Sequence, residues 1–220
     1  NPARPGARDG GRPRDFFRYR IVYPIMSVKG ETVGFGARAM GDAMPKYLNG
    51  PDTLVFSKSR VLYGLYEGLA EARKARQVLL LEGYMDVLAA HQYGFKTACA
   101  PLGTAVTPEH AALIKRYADG VIFVFDPDNA GAQAALRGAE LLLESGLSVR
   151  IATVPDGLDP DELLQRDDRP AFEAVLAKAQ DLPDFQTQRL LGKLGGRPSA
   201  EEKSKVALEV LQVIAKAPNE

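Results

Sequence analysis

The stretch VLLLEGYMDVLAAHQ, residues 78–92, decides the fold. It begins as a short, unbroken apolar run, is closed at once by the acidic Glu82, and takes on helical spacing from Tyr84. A strand apolar on both faces that turns directly into a helix is the repeating unit of a parallel sheet covered by helices. The unit recurs at 121–125, where VIFVF is closed by Asp126, Pro127 and Asp128, and further apolar strands are expected at 97–100 and 149–154. Helices are expected between them at 84–92, 108–118 and 130–145, the second marked by Thr107 as N-cap and Pro108 at the first helical position. The expected class is therefore α/β, a mostly parallel sheet flanked by helices.

Ahead of this unit, residues 1–14 are Pro, Gly and Arg with no apolar residue larger than alanine, and a lead without a core is expected there. Residues 21–28 and 32–37 are mostly apolar, β-branched or aromatic and are separated by a turn at Lys29, Gly30 and Glu31, the pattern of a β-hairpin. A long irregular loop is expected at 41–59 and a helix at 61–74, completing a mixed α+β N-terminal lobe over 15–75. Residues 76–165 form the expected α/β domain. A C-terminal helical lobe follows at 166–220, with helices predicted at 161–165, 170–178, 183–194 and 199–216, the last opened by a Ser199–Glu202 capping box.

With 45% hydrophobic and 25% charged residues in 220, the chain has a globular composition. No run reaches the roughly 18 to 20 apolar residues of a membrane span, so a cytoplasmic protein with no membrane partner is expected. The single Cys99 excludes an internal disulfide and a cysteine-built zinc site. Net charge is zero, but residues 1–60 carry 11 Lys and Arg against 5 Asp and Glu, while the remainder carries 17 against 23. A basic front on an acidic body suits an enzyme that grips a phosphate backbone with one part and metals with another.

In a parallel sheet, ligands gather at the carboxyl ends of the strands. Glu82 stands at that edge with Asp86 one helical turn on; Asp126 and Asp128 stand there too, and Asp159 and Asp161 repeat the D-x-D spacing after the strand ending at Val154. So many carboxylates on one edge repel unless cations neutralise them, and hard oxygen ligands without His or Cys select Mg²⁺ or Mn²⁺. Such ions serve phosphoryl transfer on nucleic acid.

The motifs, taken in order, are RIVYPI (20–25), GFGAR (34–38), PKYLN (45–49), FSK (56–58), LYGL (62–65), EGYMD (82–86), LGT (102–104), DPDNAG (126–131) and DPD (159–161). Together they resemble the RNA polymerase domain of the bacterial DNA primases of the DnaG type, whose catalytic domain has the Toprim fold; residues 185–217 resemble the start of its helical third lobe. The resemblance implies that Glu82, Asp126 and Asp128 bind metal directly, that Asp86, Asp159 and Asp161 hold a further ion or orient the others, and that two or more Mg²⁺ or Mn²⁺ ions, but no zinc, belong to this part of the protein. It implies primer synthesis from ribonucleoside triphosphates on single-stranded DNA. It further implies a replicative helicase and a single-strand-binding protein as partners of the full-length protein, of which this chain would be a monomeric catalytic fragment. Pro127 and Asn129 depart from the family pattern, which usually has Gly and a basic residue there.

The same resemblance places Arg18, Arg20, Arg38, Lys46, Tyr47, Asn49 and Lys58 in the motifs that bind template and nucleotide, with Gly103 and Thr104 on a third strand-end loop offering a backbone N–H or hydroxyl to phosphate. His91 and His110 lack partners at metal spacing and are expected to be structural or exposed. Tyr63 and Tyr66, at helical spacing, are expected to pack rather than act as nucleophiles. Two other functions use the same residues: a Toprim nuclease or topoisomerase, and a non-catalytic module binding single-stranded nucleic acid.

Overall fold

The structure, a computed structural model, describes residues 15–125 and 132–218. Its centre is a five-stranded sheet of order β5-β4-β6-β7-β8, in which β4 (Gln77–Leu80), β5 (Ala98–Cys99), β6 (Gly120–Phe125) and β7 (Ser148–Thr153) run parallel. The two-residue β8 (Gln180–Asp181) closes the edge antiparallel to β7. All six residues of β6 are buried, as the continuous apolar run requires of a central strand. Its side chains alternate between two cores. Val121, Phe123 and Phe125 pack with α3 (Pro108–Lys115) and α4 (Ala132–Glu144), while Ile122 and Val124 pack with α2 (Tyr84–Gln92) and α5 (Pro160–Ala177).

The front lobe is an antiparallel sheet of β1 (Arg20–Met26), β2 (Thr32–Ala39) and β3 (Tyr47–Asn49). Its Tyr23, Ile25 and Phe56 belong to the same core as α2 and α5, so the lobe is packed onto one face of the parallel sheet. Gly34 lies directly on the Phe56 ring, where a Cβ would come within 2.9 Å of it. The C-terminal helices α6 (Leu182–Leu194) and α7 (Ala200–Ile214) join the opposite core through Leu182, Phe185 and Val213.

Two expectations are corrected. The helix expected at 61–74 is confined to α1 (Leu69–Ala75). Before it, Leu62, Tyr63 and Leu65 are buried, Gly64 takes a positive φ of 81°, and Tyr63 exchanges backbone hydrogen bonds with Ala100 at 2.9 and 3.0 Å. Tertiary burial there overrides the helical spacing. The loop expected at 41–59 contains β3, whose Leu48 pairs with Ala37. The two helices expected at 161–165 and 170–178 are both present as the two runs of α5, separated by the non-helical Asp168 at φ 67°. β8 was not foreseen, since two residues carry no period. The expected lead at 1–14 and the start of the helix at 130–145 lie outside the described residues.

No described helix is long and apolar enough to cross a membrane.

Candidate catalytic crevice

Glu82 is exposed immediately after four buried residues, because β4 ends at the carboxyl edge of the sheet and the chain turns there into α2. It lines a cleft of about 200 Å³ with Pro101, Thr104, Ala105 and Phe123. In the parallel register Leu80 pairs with Phe123, so β6 reaches this edge beside Glu82, with Phe125 as its last residue. Asp126 and Asp128, with Pro127 and Asn129, lie outside the described residues. Among the described residues no three His, Cys, Asp or Glu side chains are grouped closely enough to hold a metal.

Asp86 is the buried acid of the edge, 7% exposed. Its Oδ2 accepts the Gly83 N–H at 2.9 Å, capping α2, and its Oδ1 accepts the Asp161 N–H at 3.3 Å from the first turn of α5. Two helix N-termini therefore point at one carboxylate. Burial, then the charge of Asp161 and of Asp159, pushes the Asp86 carboxyl up to about 7 against the opposing pull of those two N–H groups. Asp159 is the N-cap residue of α5, with Pro160 after it and the Asp159 N–H held by Glu162 at 3.2 Å.

Facing these acids is an aromatic wall from the front lobe. Tyr84, the first residue of α2, stacks on Tyr23 at 5.3 Å and on Tyr47 at 6.3 Å between ring centroids. Its hydroxyl donates to Asn49 Oδ1 at 2.6 Å, and Asn49 Nδ2 donates to the Leu102 carbonyl at 2.7 Å. This chain ties β3 to the start of α2 and to the loop carrying Gly103 and Thr104. Gly36 passes so close beneath Tyr84 and Asn49 that a side chain there would overlap both. Tyr47 itself is exposed, with the Arg38 guanidinium and the Lys46 ammonium each 5.9 Å from its ring centroid. Burial of its inner part raises the Tyr47 hydroxyl pKa, Arg38 opposes that, and Asp161 and Asp86 add to it.

The structure thus brings Tyr47 within electrostatic reach of Asp86 and Asp161, with Arg38 and Lys46 at its ring and Asn49 bonded to the neighbouring Tyr84. Arg20 is directed instead at the Pro45 carbonyl, 2.7 Å away, and Arg18 is exposed at the start of the front lobe. Gly103, at φ 70°, and Thr104 are exposed on the loop between β5 and α3. The turn of Lys58 is tied to α3 by Thr107 and His110. His91 and His110 are both structural, each bonded through Nε2 to a backbone carbonyl, of Ala98 and Lys58 respectively. Tyr63 is buried against Tyr84 with its hydroxyl pKa pushed up to about 12, unsuited to nucleophilic attack. Tyr23 and Tyr84 escaped the sequence reading; the only signal was the place of Tyr84 within EGYMD.

Residues 6–69 match the family described as DNA primase catalytic core, N-terminal domain, and residues 79–164 match the family described as Toprim-like. The DNA primase of Escherichia coli K12 is 39% identical over 215 residues, which are 96% of this chain and 37% of that protein. A crystal structure of a DNA primase domain from Pseudomonas aeruginosa superposes with TM-score 0.83 at 39% identity, over 96% of this chain and 66% of that one. The DnaG primase catalytic domain bound to single-stranded DNA superposes with TM-score 0.83 at 38% identity, over 97% of this chain and 69% of that one. The chain belongs to the DnaG family of bacterial primases.

Within the DnaG frame, every acidic candidate falls in the Toprim-like segment and every cationic one in the N-terminal segment of the catalytic core. Asp86 and Tyr47 lie on either side of the seam between the two. The chain spans 29% and 37% of the DNA primases of Clostridium acetobutylicum and E. coli.

Proposed function

We propose that the chain is the catalytic core of a primase, joining ribonucleoside triphosphates into short RNA primers on single-stranded DNA during replication. One observation carries this. A buried carboxylate crowded by two others lies within electrostatic reach of an exposed tyrosine ring flanked by Arg38 and Lys46, so an acidic edge and a cationic aromatic wall adjoin.

The donor set fits divalent cations. It is oxygen only, and a cation would relieve the like charges of Asp161 and Asp159, which add to burial in lifting Asp86 to about 7. Glu82, Asp126 and Asp128 would hold two or more Mg²⁺ or Mn²⁺ ions, with Asp86, Asp159 and Asp161 orienting them or holding another. Ions bound there polarise phosphoryl oxygens, activate a primer hydroxyl and neutralise the departing pyrophosphate. The chain itself positions and neutralises. Arg38 and Lys46 meet the triphosphate or template phosphates, Tyr47 stacks on a base, and Gly103 and Thr104 present donors beside Glu82. Arg18, Arg20 and Lys58 extend the cationic track. Asn49, bound at both ends of its amide, holds the wall in place. A replicative helicase and a single-strand-binding protein are the partners proposed for the full-length protein, acting in the bacterial cytoplasm; this core acts as a monomer.

The test is incorporation of labelled ribonucleotides on a single-stranded DNA template with Mg²⁺ or Mn²⁺. Short, template-dependent RNA is expected. DNA cleavage without nucleotides would favour a nuclease, and metal-indifferent binding without incorporation a binding module; either contradicts the proposal.

A further inference from the structure

His110 is fully buried at the first turn of α3 and uses both ring nitrogens. Nδ1 accepts the Thr107 N–H at 3.3 Å, closing the capping box of the helix. Nδ1 therefore bears no proton, and the proton is on Nε2, which donates to the Lys58 carbonyl at 2.9 Å, 52 residues away in sequence. A second bond runs in parallel: the Thr107 hydroxyl, while accepting the His110 N–H at 3.2 Å, donates to the Ser59 carbonyl at 2.7 Å. An ordinary helix cap requires only the bonds within residues 107–110. The two outward bonds do something else. They fasten the 57–60 turn of the front lobe to the helix that follows the loop lining the Glu82 cleft, where Thr104, Ala105 and Val106 lie just ahead of Thr107. From the other side the turn is braced by Asp52, which accepts from the Ser57 hydroxyl at 3.2 Å and the Lys58 N–H at 3.4 Å. The backbone of Lys58 is thus held at both its N–H and its carbonyl.

We propose that His110 is a positioning residue for nucleic-acid binding, acting through its strap to the Lys58 carbonyl to hold the Lys58 ammonium where it meets a phosphate of the bound strand. The proposal rests on Lys58 belonging to the template track, and its test uses binding alone, so that it stands or falls apart from synthesis. Two substitutions separate the two ring nitrogens. An asparagine places an acceptor where Nδ1 is, preserving the cap but not the strap. A glutamine places a donor where Nε2 is, preserving the strap but not the cap.

Binding of a fluorescent oligo-dT by the full chain is measured by anisotropy across a salt series. Lys58→Ala should weaken binding roughly fivefold and lower the slope of log affinity against log salt by about 0.7, one phosphate contact on a single strand. His110→Asn should reproduce both changes, His110→Gln should restore both, and His110→Asn combined with Lys58→Ala should be no weaker than Lys58→Ala alone. An unchanged slope in His110→Asn, additive losses in the double variant, failure of His110→Gln to restore the slope, or no effect of Lys58→Ala would each overturn the proposal. A merely structural role lowers the unfolding temperature but leaves the slope of the folded fraction where it was.

Discussion

Asp86 shows why a residue that supports the proposed metal site is costly to the fold. Its carboxyl titrates near 7 in the folded chain against an ordinary value of 3.8, so the folded state retains a proton that the unfolded chain has lost. The contribution of Asp86 to stability is complete below about 3.8 and is lost as pH rises through about 7. In EDTA, the unfolding midpoint of the wild-type chain should therefore fall relative to that of Asp86→Asn as pH rises from 5 toward 8, and Mg²⁺ should recover more of the loss at the higher pH. A constant difference between the two proteins across that range would contradict this. His91 and His110 act in the opposite sense, since burial holds both below the ordinary histidine value and stability is lost as pH falls below it. The comparison with Asp86→Asn removes their contribution. At this scale the candidate site was legible where one residue type answered one local need: an acid after an apolar strand, as at Glu82, or at the third position of a helix, as at Asp86. It was not legible at Tyr84, whose bond to Asn49, 35 residues away, exists only in the folded chain; the motif around Asn49 named that residue but not this partner.

The elements of the parallel sheet could be read because central strands buried on both faces need unbroken apolar runs, and VIFVF can satisfy nothing else so simply. The starts of α3 and α7 could be read because Thr107 and Ser199 satisfy helix donors with their side chains. Residues 61–68 could not, because their apolar spacing fits a helix equally well and only contact with the sheet edge, through the Tyr63–Ala100 bridge, decides otherwise. Short strands such as β3 and β8 are defined by their neighbours rather than by their own residues. The junction of β3 with α2 yields a prediction of its own. Tyr84→Phe keeps the stacked rings but leaves Asn49 Oδ1 without its donor, which should cost about 1–3 kcal/mol in unfolding free energy. If Asn49 holds the nucleotide wall in place, the same variant should raise the KM for ribonucleotides severalfold with kcat little changed. Loss in kcat alone would assign Tyr84 to the chemistry instead.

Across the whole molecule the parts take up complementary duties. The parallel sheet fixes an acidic edge, the front lobe lays a cationic aromatic wall across it, and Tyr84, Asn49, Thr107 and His110 fasten one to the other. The charge asymmetry between the first 60 residues and the rest, invisible in a net charge of zero, already outlined this division. Family membership narrows the proposal from phosphoryl transfer in general to primer synthesis, which composition and spacing alone left open among joining, cutting and binding. The most direct measurement compares ribonucleotide incorporation on single-stranded DNA by the wild-type chain, Glu82→Gln and Asp126→Asn, with circular dichroism confirming that all three are folded. Both substitutions should reduce synthesis by several orders of magnitude without loss of fold; near-normal primer synthesis by folded Glu82→Gln and Asp126→Asn would contradict the assignment of the acidic edge as the catalytic centre.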